Sequence, residues 1–240
     1  MKALEVFLCI FALADLAYVY GKYGILRKMD DKIQVGTDMH ESIRQHVIEV
    51  AKKAFYAKGI KNVTMDEIAH ELTMSKRTLY QLFSDKESLL LACIEEQKHR
   101  HLLLMQECME HTDNVLELVL ADFSYRLDFI KGITPQFFVD VNRFPKVVES
   151  MQKDRLQHME KAVAFLEKGV SQGLFRADVN FEIIYTLLMS HVDNSSATGS
   201  FSHFPPVEVF KHLVFFFLRG CTTQKGMEMM DEYIVRNGWS

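Results

Sequence analysis

This chain has little that breaks a helix and nothing that staples a fold. Four prolines and eleven glycines are spread through 240 residues, and the long stretches between them favour helix. The four cysteines, Cys9, Cys93, Cys108 and Cys221, stand isolated. That argues against a disulfide framework and a zinc site, and it suits a reducing, cytoplasmic compartment. The ten histidines are scattered; His99 and His101, two apart, fall on different faces of a helix. No metal and no cofactor is expected. There is no excess of positive charge, the formal net charge being -4, so any nucleic-acid contact must come from a local patch. A phosphate loop, a metal-ligand cluster and a nucleophile elbow are all missing, so no catalytic residue is assigned and an enzyme is not expected. Internal repeats, low-complexity tracts and convincing strands are absent too.

What remains is 48% hydrophobic and 25% charged, the composition of a folded globular protein with one large domain or two small ones. The predicted fold class is all-α. Residues 1–38 form an apolar extension and linker, residues 39–100 a DNA-binding unit, and residues 101–240 a second helical domain for ligand sensing and dimerisation. In the extension, Ala3 to Tyr20 is mostly apolar but interrupted by Glu5 and Asp15. It reads first as a translation start assigned too early, with Met29 or Met39 as the native start. An extra packing helix comes second. A membrane anchor or a signal peptide ending near Ala12-Leu13-Ala14 comes third.

From Glu41 the pattern becomes helical, with Ile43, Val47, Val50, Ala51, Ala54 and Phe55 on one face and a stop at Gly59. Thr64 to Glu67 spells a capping box and opens a short helix to about Leu72. A turn of about three residues follows, then Ser75 as the cap of a helix from Lys76 to about Phe83. Ser84 to Glu87 reads as a second capping box that opens a long fourth helix. Further helices are predicted over roughly 114–131, 135–142, 145–172, 181–195, 206–220 and 224–237, with Gly169 and Gly173 ending the longest.

Two short helices across a tight turn form a helix-turn-helix, whose later helix enters the major groove. Leu79, Leu82 and Phe83 share one face of that helix and should pack inward. Lys76, Arg77, Thr78, Tyr80 and Gln81 are left outside. Arg and Lys can bond guanine O6 and N7, Gln can pair with adenine, and a Thr methyl can meet that of thymine. Tyr80 and Lys86 suit phosphate. Thr64 brings a hydroxyl and free backbone N–H groups at a helix start.

Three linked blocks carry a resemblance. Val63-Thr64-Met65-Asp66-Glu67-Ile68-Ala69, Met74-Ser75-Lys76-Arg77-Thr78-Leu79-Tyr80 and Phe83-Ser84-Asp85-Lys86-Glu87-Ser88-Leu89-Leu90 together resemble the DNA-binding signature of TetR-type (TetR/AcrR) regulators. The resemblance covers roughly a quarter of the chain. It implies a homodimer on double-stranded DNA with a palindromic operator, and a C-terminal domain that senses a small molecule. It also carries DNA contact onto Thr64, Ser75, Lys76, Thr78, Tyr80 and Lys86. The chain departs from the pattern at Thr73, where the family often has Gly, and at Arg77, where a small residue is usual. Gly173 to Asp178 is similar to the link before the family's dimerising helices.

For a small apolar or amphipathic ligand, the candidate wall is Tyr125, Phe129, Phe137, Phe138, Met151, His158, Met159, Phe165, Tyr185 and His191, each of which also suits plain core. Phe210, Leu213, Val214, Phe215, Phe216, Phe217 and Leu218 make a helix apolar nearly all round. In a monomer one side would stay wet, so a homodimer through the helices near 181–195 and 206–220, with Phe181, Ile184, Leu187 and Leu188, is expected. The resulting expectation is a transcription regulator, a repressor released by its ligand. The alternatives are an activator of the same fold, a membrane-tethered regulator, and a helical ligand-binding or interaction protein without specific DNA binding.

Overall fold

The computed structural model describes residues 39–187 and 203–239. The readings of residues 1–38, Leu188, His191 and most of the 195–206 loop lie outside them, as does the side chain of His158. The described residues are helical, in the order α1 (Met39–Lys58), α2 (Met65–Glu71), α3 (Lys76–Leu82), α4 (Lys86–His111), α5 (Val115–Lys131), α6 (Pro135–Val141) and α7 (Pro145–Ser171), then a helical stretch α8 over 181–187, α9 (Pro206–Cys221) and α10 (Gln224–Arg236). An antiparallel bridge between Phe175 and Thr222 joins the α7–α8 link to the α9–α10 turn.

Local chemistry sets most helix starts. Thr64 caps α2 in a reciprocal box with Glu67, and Ser75 caps α3 by accepting from the N–H of Thr78. Asn114 caps α5 by accepting from Leu116 and Glu117, while α6 and α7 open on proline, which has no N–H to leave unpaired. At α4 the expected box is off by one residue. Asp85 is the cap, its carboxylate accepting from the N–H of Ser88 at 2.7 Å while the Ser88 hydroxyl returns to the N–H of Asp85 at 3.2 Å. Glu87 is thereby released to accept from the N–H of Lys146 at the start of α7, at 2.8 Å.

α7 ends where expected, but Gly169 takes no part in ending it. Gly169 lies inside the helix, where an added Cβ would collide with the Phe175 ring. It makes room for packing, and the break comes after Ser171, at Gly173 with φ +70°.

The boundary drawn at residue 100 does not separate two cores. One buried cluster joins Val47, Ile48, Phe55 and Leu79 to Phe123, Phe137, Phe138, Met151 and Phe210. A second joins Met105, Leu116, Phe165, Phe175, Tyr185 and Met230. α4 runs unbroken across the boundary. At the seam Tyr56 of α1 stands edge-on to Phe129 and Phe137, with centroids 5.4 and 5.0 Å away. The Tyr56 carbonyl accepts from the N–H of Thr134 at 3.0 Å.

The turn between α2 and α3 is where Thr73 replaces the usual glycine. The N–H of Met74 reaches the Ala69 carbonyl at 2.8 Å and that of Thr73 reaches His70 at 3.0 Å, the paired bonds that close a helix in a Schellman turn. The turn forces Thr73 to φ +52°, a left-handed conformation that costs a β-branched residue about 1–2 kcal/mol. Part of that strain is offset because glycine is freer in the unfolded chain. The Thr73→Gly variant should therefore be more stable by about 0.5–1 kcal/mol, read as a higher urea midpoint at unchanged slope.

Candidate nucleic-acid interface

The α3 helix is anchored by one face and bare on the other. Leu79 is fully buried, Phe83 nearly so and Leu82 half-buried. The Arg44 guanidinium lies 5.0 Å over the Phe83 ring and braces α1 against this end. Ser75, Lys76, Arg77, Thr78, Tyr80 and Gln81 are all exposed. Arg77 and Gln81, one helical turn apart, lie on the same outward face. The hydroxyls of Ser75 and Thr78 lie 2.7 Å apart and close the first turn. The Lys76 ammonium reaches out of α3 to the Asp66 carboxylate of α2, 2.6 Å away.

Thr64 and Lys86 both have hydrogen-bond partners within the protein. The Thr64 N–H donates to Glu67 Oε2 at 2.6 Å, and its hydroxyl both donates to that carboxylate and accepts from the Glu67 N–H. These bonds hold the Glu67 carboxyl below its usual range. The N–H expected to be free at Thr64 is therefore occupied, and the rest of the first turn is carried by Met65 and Asp66. Lys86 points inward, donating to the carbonyls of Ile60 at 2.8 Å and Val63 at 2.6 Å. Burial lowers its pKa, against the opposing charges of Asp140 and Glu67. Two of its three N–H donors are thus taken.

Lys86 belongs to a clamp around the α1–α2 corner. From the other side Asp140 of α6, fully buried, accepts from the N–H of Lys61 at 2.7 Å and from Gln136 Nε2 at 2.7 Å. Gly59, at φ +81°, lies so close that a Cβ would sit 2.7 Å from Gln136 Cγ. The segment leading into α2 is therefore fixed by the first residue of α4 and by the second domain together.

Apart from Tyr125, the described ligand-wall residues divide between the two cores. Phe129 and Phe137 pack on Tyr56 at the seam, Phe138 and Met151 fill the first core, and Met159, Phe165 and Tyr185 belong to the second. Tyr125 accepts from Gln97 at 2.6 Å and stacks on His101. A groove of about 440 Å³ opens elsewhere, lined by Cys108, Leu118, Ala121, Met229, Tyr233 and Arg236 among others. Sequence reasoning missed the polar centre beside Tyr125. Asp122 Oδ1 lies 2.6 Å from His101 Nε2, and its Oδ2 accepts from Arg126 Nε at 2.6 Å, with all three side chains buried. The i,i+4 pair of Asp122 and Arg126 inside a strongly apolar helix was the available signal.

Among the described residues, no group of His, Cys, Asp or Glu could hold a metal, and no helix is long and apolar enough to cross a membrane.

A short helix buried on one face, polar and bare on the other, and set by a tight turn against a preceding helix defines a helix-turn-helix DNA-binding domain. Residues 47–93 match the family model for bacterial regulatory proteins of the tetR family. In this domain the chain is similar to regulators of that family. It is 29% identical over 86 residues to a helix-turn-helix-type transcriptional regulator of Staphylococcus aureus (strain bovine RF122 / ET3-1), a match covering 36% of this chain and 46% of that protein. The chain thus spans less than half the length of this relative. Among solved structures it is similar to a TetR-family transcriptional regulator from Agrobacterium tumefaciens, with 14% identity, TM-score 0.59, and 77% and 100% of the two chains covered. It is also similar to a gamma-butyrolactone receptor (ArpA-like protein), with 18% identity, TM-score 0.59, and coverage of 83% and 98%. At these identities the likeness is one of fold.

The Asp122 carboxyl titrates below its usual value: burial pushes it up, but the Arg126 charge and the His101 hydrogen bond outweigh this. A carboxyl with a depressed folded pKa gives stability that is complete above its unfolded value, about 3.9, and is lost as pH falls below it. Asp122→Asn should cost on the order of 3 kcal/mol at pH 7. The gap from wild type should narrow at pH 3, both read by urea denaturation.

Proposed function

We propose that the protein is a transcription regulator that binds a palindromic operator as a homodimer, and that it is a cytoplasmic repressor released by a small apolar or amphipathic ligand. The observation that carries this reading is the outward face of α3: Arg77, Tyr80 and Gln81 stand exposed on a helix whose opposite side is locked by Leu79 and Phe83. Arg77, Lys76, Gln81 and Thr78 read base edges. Ser75 and Tyr80 meet the phosphate backbone; Thr64, whose two donors are held by Glu67, fixes the start of α2, and Lys86, with one N–H left, adds at most a single backbone contact.

An uncovered apolar face supports the dimer. Phe216 is 75% exposed, Ile183 56% and Leu187 54%. With Ile184 and Phe217, Leu187 and Phe216 line an open groove of about 710 Å³ between α8 and α9. Large apolar side chains clustered in water call for a cover, and a second copy supplies the same face. Two helices from each protomer then form a four-helix bundle that sets the two α3 helices about 34 Å apart, one turn of DNA. The fold shared with a gamma-butyrolactone receptor supports small-molecule sensing without naming the ligand.

Duplexes selected from a random pool by the wild-type protein provide the test. Arg77→Ala should weaken binding to the selected duplex by about 1–3 kcal/mol in fluorescence anisotropy; a wild-type protein that binds selected and random duplexes alike would overturn the reading. For the interface, Phe216→Asp should convert the dimer to a monomer in size-exclusion chromatography with light scattering. An unchanged dimer mass would place the interface elsewhere.

A further inference from the structure

An ion pair between Lys76 and Asp66 crosses the helix-turn-helix from α3 to α2. Lys76 occupies the first helical position of α3, next to the cap Ser75. A cation there faces the positive end of the helix dipole, an unfavourable place for it. Asp66 sits in the first turn of α2. Its carboxylate lies 2.6 Å from the Lys76 ammonium, and the two side chains are 56% and 66% exposed. Each lies on a short helix that is rigidly seated, α2 through Ile68 and Ala69 and α3 through Leu79. A lysine free to swing would find any nearby phosphate. A lysine held by a carboxylate is neutralised toward the backbone, yet it keeps two N–H donors, because an ammonium has three and Asp66 takes one.

We propose that Asp66 is a specificity-determining residue of the DNA interface: it pins the Lys76 ammonium at the outer edge of the recognition helix, withheld from the phosphates and turned to a base edge. The proposal rests on the reading of α3 as the DNA-reading helix and adds a role for a side chain of α2. It follows that Lys76 contributes little to sequence-independent binding, although it is an exposed cation. It also follows that the partners for its remaining donors are paired acceptors such as guanine O6 and N7.

The test is a double-mutant cycle on the full chain with Asp66→Asn, Lys76→Met and the double variant. Each is titrated by anisotropy against a random-sequence 30-base-pair duplex at several salt concentrations and against a duplex selected by the wild type. Both positions are exposed, and unchanged thermal melting confirms that each variant folds. In the wild-type background Lys76→Met should leave the salt dependence on the random duplex nearly unchanged. Asp66→Asn should steepen it by about one unit of slope, equivalent to an extra loss of about 3.5-fold in affinity between 50 and 200 mM salt. The double variant should lose that gain. The ratio of selected to random affinity should fall at least about fivefold in Asp66→Asn, and selection with that variant should lose its preference at one base pair per half-site. Two results would overturn the inference: a Lys76→Met change that flattens the slope equally with and without Asp66, or an Asp66→Asn protein that selects the same sequence as the wild type. A wild-type protein with no salt-dependent binding to any duplex would instead sink the DNA-binding reading itself, and this inference with it.

Discussion

The corner between α1 and α2 is held by two charges from different parts of the chain, and the placing of α3 depends on it. Lys86, the first residue of α4, donates to the Ile60 and Val63 carbonyls, and Asp140 of α6 accepts from the Lys61 N–H. The backbone polar groups of a tight connection must be satisfied somewhere. Here they are satisfied by side chains whose opposite charges also compensate one another. The next residue is Thr64, the cap of α2, and α2 is the platform on which α3 rests. The direction in which α3 points is thus set by α4 and the second domain at once.

The parts of the site that follow local rules were legible in the sequence. The Thr64–Glu67 box, the Ser75 cap and the split of α3 into an apolar face at Leu79 and Phe83 and a polar face at Lys76, Arg77 and Gln81 all depend on neighbours within four residues, and the structure shows each. Where two local rules competed, the reading slipped. Ser84 and Glu87 offered one capping box and Asp85 and Ser88 another; the carboxylate was the stronger acceptor, and Glu87 had a better use at the N–H of Lys146. Gly169 shows the same limit. A glycine near a helix end suggests a stop, but this one is kept open for the Phe175 ring, a constraint that arises only once the chain has folded back.

Long-range pairing was not legible. Asp140 and Lys61 are 79 residues apart, and nothing in either neighbourhood announces the bond. The His101–Asp122 contact spans 21 residues and two helices. Lys86 shows the same limit: the two carbonyls it reaches belong to Ile60 and Val63, 26 and 23 residues away. The aromatic residues taken as a ligand wall share a helical period, but period alone does not say which of two cores a side chain will enter. Phe137 and Phe165 entered different ones.

The shared first core bears on how a signal from the second domain would reach α3. A lever that pivots freely needs a boundary across which few side chains pack. Here Phe55, Leu79 and Leu90 of the DNA-binding domain lie in one cluster with Phe123, Phe137 and Phe210, and Tyr56 is wedged between Phe129 and Phe137. Close-packed interiors do not deform continuously, so tilting α4 alone would open voids around these rings. The arrangement therefore favours a change in which the α5–α6 corner travels with α4, carrying Asp140 and the loop it grips. Anything bound to the second domain could shift α3 only to the extent that it binds one such packing better than the other. The energetic burden of any such change would fall on the aromatic seam around Tyr56 rather than on α4 by itself.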